Sequence, residues 1–147
     1  MSVETSPQEK VTRLRYAGSD QFVGESVSGH AVIADFRHDN KAAASPMELL
    51  LIALGGCTGA DVISILHKKR QRVSDYQIEI RAQRRDEHPR IYTDIEITHR
   101  LRGFNIDEKG VAHAIELSET KYCSVSAMLA ATAKITTRYE ISQDQLA

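Results

Sequence analysis

The sequence predicts an α+β fold, because segments with strand-like alternation occur in groups that helical segments separate. Apolar and polar residues alternate over residues 10–37 and again over residues 74–102. A long apolar helix lies between these groups, and two shorter helical segments follow the second group. The predicted order is βββ-α-ββ-α-α-β, without a repeat or a domain boundary. We therefore expect one domain over residues 1–147, with residues 1–9 as a loose tail.

The strands are predicted from alternation and from the turn residues that interrupt it. Residues 10–37 predict a meander of three short antiparallel strands. Two longer strands are expected over about residues 74–84 and 90–102, and a last strand over residues 135–141. The expected fold therefore has antiparallel sheets around a long buried central helix.

The central helix is predicted over residues 45–72, and both of its ends carry signals. Ser45 is a favoured N-cap residue, Pro46 falls at the first helical position and Glu48 stands three residues after the cap. This arrangement is a capping box with proline at N1. The C-terminal end carries cations, which the helix dipole favours: Lys68, Lys69, Arg70 and Arg72.

The first half of this helix carries no charge on any face over residues 49–60, which predicts burial on all sides. One small sheet covers only one side of a helix, so we expect a second subunit, in an obligate homodimer, to cover the other. Gly55, Gly56 and Gly59 lower helix stability by roughly 1 kcal/mol each relative to alanine. Their presence indicates that another backbone or a ligand approaches Cys57 closely.

Composition excludes several classes of function. The net charge is −1, and the chain has no tryptophan and few aromatic residues, so we expect no nucleic-acid partner. The charge-free stretch over residues 49–60 is shorter than the roughly 20 residues that span a bilayer, so no membrane partner is expected. The polar start of the chain resembles no secretory signal, and the two cysteines suit free or redox-active thiols in the cytoplasm.

The two cysteines are the candidate reactive groups. Cys57 has apolar helix neighbours and Asp61 four residues later, and both features raise a thiol pKa. Its alternative role is that of a small buried hydrophobe. Asp107 is expected to cap the second helix, and Cys123 stands where the third begins, a position that lowers a thiol pKa. The alternative for Cys123 is simple packing beneath this helix junction.

Other site chemistries lack sequence support. The six histidines show no ligand spacing with each other or with a cysteine, and no phosphate-binding or dinucleotide fingerprint occurs. We therefore expect neither a metal nor a cofactor.

The segment PMELLLIALGGCTGADVISIL, followed further along by KYCSVSAML, resembles the OsmC/Ohr family of osmotically inducible and organic hydroperoxide resistance proteins, and most closely its YhfA-like branch. The resemblance implies an intertwined α+β homodimer with active sites at the subunit interface. It also implies that Cys57 attacks an organic hydroperoxide and becomes a sulfenic acid, and that Cys123 condenses with it to a disulfide. A dithiol reductant, dihydrolipoyl in the best-known members, then restores the thiols.

The sequence departs from the family peroxidases in the groups that activate the first cysteine. Met47 stands where they carry a glutamate, and Glu48 is its neighbour. The segment DQFVGES contains no arginine where they have one, which leaves Arg37, Arg13 or Arg15 as substitutes. Of these, Arg37 is the candidate site residue together with Glu48.

Two functions follow from the sequence. The first is a thiol peroxidase for organic hydroperoxides that acts in oxidative stress defence through Cys57 and Cys123. The alternative is a non-catalytic binding or redox-sensing module of the same fold, with a ligand at the dimer interface.

Overall fold

The structure is a computed structural model that describes residues 8–145. Most of the predicted loose tail, residues 1–9, lies outside this range. The described residues form two compact units, which divide after Leu50. The assignment of the whole chain to one domain stays a prediction.

The first unit contains the predicted three-stranded meander. Its strands are β1 (Arg13–Gly18), β2 (Gln21–Glu25) and β3 (Ala31–Asp35), hydrogen-bonded antiparallel in the order β1-β2-β3. Gly18 and the two residues after it adopt positive φ angles in the tight turn between β1 and β2. The prediction of the meander is confirmed.

The central helix, α1 (Pro46–Lys68), begins in the first unit and continues into the second. Its capping box forms as predicted, since the backbone N–H of Ser45 donates to a Glu48 carboxylate oxygen at 2.7 Å and the backbone N–H of Glu48 donates to the Ser45 hydroxyl at 3.2 Å. The helix ends before the predicted residue 72. Arg70 adopts a positive φ of 57° and its N–H bonds back to the carbonyl of His67, which closes the helix.

The second unit contains a sheet of β4 (Arg72–Arg84), β5 (Tyr92–Phe104) and β6 (Lys134–Gln143). The strand order is β4-β5-β6, with β4 antiparallel to β5 and β6 parallel to β5. The expectation of purely antiparallel sheets is therefore wrong for this sheet. The helical connection between β5 and β6 is long enough to return the chain to the start of β5, so β6 pairs in the same direction.

Helical segments make up the connection between β5 and β6. They are α2 (Glu108–Leu117), a single π-helical turn (Ser118–Tyr122) and α3 (Ser124–Leu129). The Asp107 carboxylate accepts a hydrogen bond from the backbone N–H of Gly110 at 3.1 Å, which confirms the predicted cap of the second helix. Cys123 is the N-cap residue of α3.

The core of the second unit lies between the C-terminal half of α1, the sheet and α2. Its buried members are apolar side chains from these elements and from the connection between β5 and α2: Val62, Leu66, Leu101, Ile106, Val111, Ala114 and Ile115. The expected burial of α1 on all sides does not occur within one chain, where Ile52 is 64% exposed. The sheet and α2 cover only one side of the helix.

Length and composition alone would allow α1 to cross a membrane. The expectation of no membrane contact rested on the length of the charge-free stretch, residues 49–60. The apolar stretch is longer, because it continues past Asp61, its one acidic residue, to Leu66. Core helices of soluble proteins have the same length and composition, so this property is only weak evidence that α1 spans a membrane.

Candidate functional site

The two cysteines and Asp61 come together in the second unit. The Cys57 Sγ atom, an Asp61 carboxylate oxygen and the Cys123 Sγ atom all lie within 4.8 Å of one another. Cys57 and Asp61 are four residues apart on α1, so they occupy the same face of the helix. Cys123 reaches this face from the start of α3. The structure therefore brings together the two cysteines that the sequence predicted as reactive groups, and places Asp61 beside both.

The π-helical turn positions Cys123. The backbone N–H of Cys123 donates to the carbonyl of Ser118 at 2.8 Å, which closes the turn, and Cys123 then leaves the helical conformation with a ψ of 100°. The backbone N–H of Ser126 donates to the Cys123 sulfur at 3.3 Å. The thiol is thus held at the first turn of α3, where the sequence predicted it.

The electrostatic consequence differs from the prediction. Cys123 is 3% exposed, and burial raises the pKa of its thiol to about 11. The hydrogen bond from Ser126 acts in the opposite direction, while the Cys57 thiol and the Asp61 charge raise the pKa further. The expected lowering by the helix N-terminus is therefore wrong, because loss of hydration outweighs one backbone hydrogen bond.

Two hydroxyl groups hold the Asp61 carboxylate in place. The Ser118 hydroxyl donates to an Asp61 carboxylate oxygen at 2.8 Å, and a further hydrogen bond of 3.0 Å joins the hydroxyls of Thr58 and Ser118. Thr58 and Ser118 are both buried. Sequence reasoning missed this pair. The available signal was a threonine within the uncharged half of α1, whose hydroxyl needs a buried partner.

The glycines near Cys57 have a more local explanation than the one predicted. A Cβ atom at Gly59 would lie 2.7 Å from the Ile78 side chain, and one at Gly55 would lie 3.3 Å from the Ile80 side chain. Gly56 has open space in place of a Cβ atom. Side chains of β4, rather than a backbone or a ligand, therefore approach α1 at Gly55 and Gly59. Only Gly56 is left without an explanation within one chain.

The other two predicted site residues lie in the first unit, where each has a structural partner. Glu48 belongs to the capping box and lies 3.8 Å from the Lys41 ammonium nitrogen. Arg37 forms an ion pair of 2.6 Å with Asp35, a fully buried carboxylate. The guanidinium of Arg37 holds the pKa of Asp35 well below its usual range, and the backbone N–H of Ala42 also donates to Asp35. Their predicted roles in catalysis stay predictions.

A cleft of about 400 Å³ in the second unit includes Asp61 in its wall. The rest of its lining combines apolar side chains, two lysines, a histidine and a serine: Ile65, Leu117, Tyr122, Lys68, Lys69, His113 and Ser64. Asp61 is the member of the three-residue cluster that lines this cleft, and neither Cys57 nor Cys123 is among the lining residues.

Comparisons with known proteins agree with this fold. The family model described as OsmC-like protein matches residues 38–138. Protein YhfA of Escherichia coli (strain K12) is 42% identical over 129 residues, which cover 88% of this chain and 96% of YhfA.

Solved structures extend the comparison. The crystal structure of a hypothetical protein from Aquifex aeolicus VF5 has a TM-score of 0.84 and 34% identity, covering 94% of this chain and 99% of that one. The organic hydroperoxide resistance protein OhrB of Bacillus subtilis has a TM-score of 0.61 and 11% identity, covering 92% and 100%, and shares the fold. The resemblance inferred from the two cysteine motifs is confirmed, and the chain belongs to the OsmC-like family.

Proposed function

We propose that the protein is a thiol-dependent peroxidase that reduces organic hydroperoxides and acts in oxidative stress defence. The observation that carries the proposal is the approach of the Cys57 and Cys123 sulfurs to within 4.8 Å from two different helices. Closure of a disulfide between them requires the two sulfurs to approach to about 2 Å.

The reaction has three steps. The Cys57 thiolate attacks the hydroperoxide O–O bond, takes one oxygen to become a sulfenic acid and releases the second as an alcohol after protonation. The Cys123 thiolate, whose proton has gone to solvent, then attacks the Cys57 sulfur, and the sulfenic hydroxyl takes up a proton and leaves as water. A dithiol reductant of the dihydrolipoyl type restores both thiols and is itself oxidised to a disulfide.

The surroundings of the pair support these roles. Cys57 is half-buried and the nucleophile must meet substrate, whereas Cys123 is buried and needs to meet only Cys57. The apolar residues of the cleft beside Asp61 suit the organic part of a hydroperoxide. OhrB of Bacillus subtilis, which shares the fold, is named as an organic hydroperoxide resistance protein.

The proposal includes a homodimer in the cytoplasm. Ile52, which is 64% exposed on the apolar half of α1, supports a subunit interface there, because an exposed apolar surface favours association. Glu48 and Arg37 are proposed as substitutes for the glutamate and arginine that activate the first cysteine in the family peroxidases, because Met47 stands at the position of the family glutamate. Both carry the charge for this task, and both are also engaged in ion pairs.

The deciding experiment is an intact-mass time course of the reduced protein with stoichiometric cumene hydroperoxide, run beside hydrogen peroxide. We expect a rapid loss of two hydrogens, a Cys57–Cys123 peptide link and faster reaction with the organic peroxide. Cys57→Ser should abolish the reaction, while Cys123→Ser should accumulate a sulfenic acid that a dimedone probe traps. An unchanged mass over many minutes, or over-oxidation of Cys57 without a link, would refute the peroxidase.

The second candidate is a redox-sensing or binding module with a ligand at the dimer interface. The burial of Cys123 and its raised pKa favour it, because a largely protonated resolving thiol slows closure of the disulfide. Steady-state turnover with a dithiol reductant distinguishes the two candidates. A sensor forms the disulfide once and regains its thiols slowly, whereas a peroxidase consumes many equivalents of hydroperoxide per chain.

A further inference from the structure

We propose that the reduced protein binds one thiophilic divalent cation per chain, Zn²⁺ in the first instance, through Cys57, Asp61 and Cys123. The inference goes beyond the peroxidase and does not require it. No metal was predicted from the sequence, because its histidines and cysteines show no ligand spacing. The three donors found here come from α1 and from the start of α3, so no local spacing reveals them.

The donor set is the first argument. Two thiolates and one carboxylate are ligands that Zn²⁺ commonly takes, and three protein ligands leave a fourth tetrahedral position for water. All three donor atoms lie within 4.8 Å of one another. Donors around a tetrahedral zinc stand about 3.5 Å apart, given Zn–S bonds of about 2.3 Å and Zn–O bonds of about 2 Å. Rotation of the side chains can supply the remaining approach.

The second argument is the support behind each ligand. Ser118 donates to one carboxylate oxygen of Asp61 and fixes the orientation of the carboxylate, and Thr58 is hydrogen-bonded to Ser118 in turn. The backbone N–H of Ser126 points at the Cys123 sulfur. Hydrogen bonds of this kind orient metal ligands and stabilise their charged forms. Asp61 also lines an open cleft of about 400 Å³, so one of the three ligand residues adjoins solvent-accessible space.

The third argument is charge. Deprotonating both thiols beside the Asp61 carboxylate would place three negative charges within 4.8 Å. A divalent cation offsets two of these charges, so it binds as the two thiols release their protons to solvent. Closure of the Cys57–Cys123 disulfide removes both sulfur ligands. The cation and a hydroperoxide therefore compete for the Cys57 sulfur, and oxidation releases the cation.

The test uses the reduced full-length chain, stripped of metal and kept anaerobic. Titration with Co²⁺ should produce a thiolate-to-cobalt charge-transfer band that saturates at one ion per chain, and Zn²⁺ should abolish this band. Competition with a chromophoric chelator then gives the Zn²⁺ affinity. Cys57→Ser and Cys123→Ser should each weaken the band and the affinity.

Two further variants separate ligation from folding. Asp61→Asn should weaken Zn²⁺ binding by about tenfold or more, whereas Asp94→Asn, the same change at an exposed strand residue, should leave it unchanged. Ser118→Ala keeps all three donors and removes the support of Asp61, so we expect a loss of about 10- to 100-fold. Thermal unfolding of each variant without metal checks its fold.

Three results would overturn the inference. They are the absence of a charge-transfer band in the reduced wild type, equal affinity of Asp61→Asn and the wild type, and a Co²⁺ spectrum that survives loss of either cysteine. The metal-free mass time course with hydroperoxide reports separately on the peroxidase. Disulfide formation without metal binding would reject only this inference, and metal binding without disulfide formation would reject only the peroxidase.

Discussion

The sulfur of Cys123 accepts a hydrogen bond of 3.3 Å from the backbone N–H of Ser126, so a thiol caps the N-terminus of α3. This bond stabilises the thiolate, yet burial of the same sulfur raises its pKa to about 11. The resting state of Cys123 near neutral pH is therefore the thiol. In the proposed reaction this is the resolving residue, which has to ionise only after Cys57 has been oxidised.

The first prediction concerns the pH dependence of disulfide closure. The attacking form of Cys123 is the thiolate, and the pKa of the thiol, about 11, lies above the pH range of the experiment. The rate of closure after oxidation of Cys57 should therefore rise about tenfold per pH unit between about pH 7 and about pH 9. Rapid-quench mass spectrometry of the sulfenic acid and the disulfide measures this step.

Asp61→Asn provides the control for this prediction. The Asp61 charge raises the pKa of Cys123, so its removal should lower that pKa and speed closure at a given pH. A closure rate that does not change between about pH 7 and about pH 9 would contradict the raised pKa.

A second prediction concerns stability in acid. His99 is fully buried on β5, its Nδ1 atom shares a hydrogen bond of 2.5 Å with the Tyr76 hydroxyl, and burial lowers its pKa to about 4. As the pH falls, His99 binds a proton at about pH 6.5 in the unfolded chain but only at about pH 4 in the folded chain. The resulting contribution to the free energy of unfolding is present above about pH 6.5 and is lost towards pH 4, by about 3 kcal/mol at most.

Urea unfolding between about pH 7 and about pH 4 tests this contribution. The wild type should lose stability over this range, and His99→Leu should show a flatter profile whatever its absolute stability. His113→Gln, which removes an exposed histidine, should keep the slope of the wild type. If His99→Leu retained the full slope, other groups would account for the acid sensitivity.

Local signals in the sequence predicted most of the elements. The capping box at Ser45, the cap at Asp107 and the alternation of β4 and β5 all involve neighbours in sequence, and all three are confirmed. The end of α1 was misplaced because the left-handed residue there is Arg70 rather than the usual glycine. The direction of β6 follows from the path of the preceding helices, which periodicity does not encode.

The residues of the candidate site were predicted in part. Both cysteines could be named from their motifs, and Asp61 could be named as a neighbour of Cys57 on α1. The pKa of Cys123 was predicted with the wrong sign, because the helix start is visible in the sequence whereas the burial of the sulfur is a tertiary property. The hydrogen bond from Ser118 to Asp61 joins segments that are far apart in sequence, and no local sequence pattern predicts it.

A third prediction tests the proposed homodimer. Ile52 is 64% exposed on the apolar half of α1, and a subunit interface there would bury it. Ile52→Asp would place an unpaired charge in that interface, so the dimer should dissociate at least about 100-fold more readily. Sedimentation or light scattering measures the change, with Ile52→Val as the matched control that keeps the apolar surface. A variant Ile52→Asp that dimerises as tightly as the wild type would exclude this face of α1 from the interface.

The last prediction compares two neighbouring glycines of α1. A Cβ atom at Gly59 would lie 2.7 Å from the Cδ1 atom of Ile78, whereas a Cβ atom at Gly56 would meet no atom within 4 Å. Both changes to alanine gain about 1 kcal/mol of helix propensity. At Gly59 the displacement of Ile78 opposes that gain, with overpacking that typically costs about 1–3 kcal/mol. Gly56→Ala should therefore raise the free energy of unfolding of the subunit and Gly59→Ala should not, as measured by urea unfolding.

Equal stabilisation of both variants would show that the Ile78 side chain moves aside without loss of stability. If Gly56→Ala instead weakens the dimer in sedimentation, then the partner subunit occupies the space beside Gly56, which would explain the third glycine.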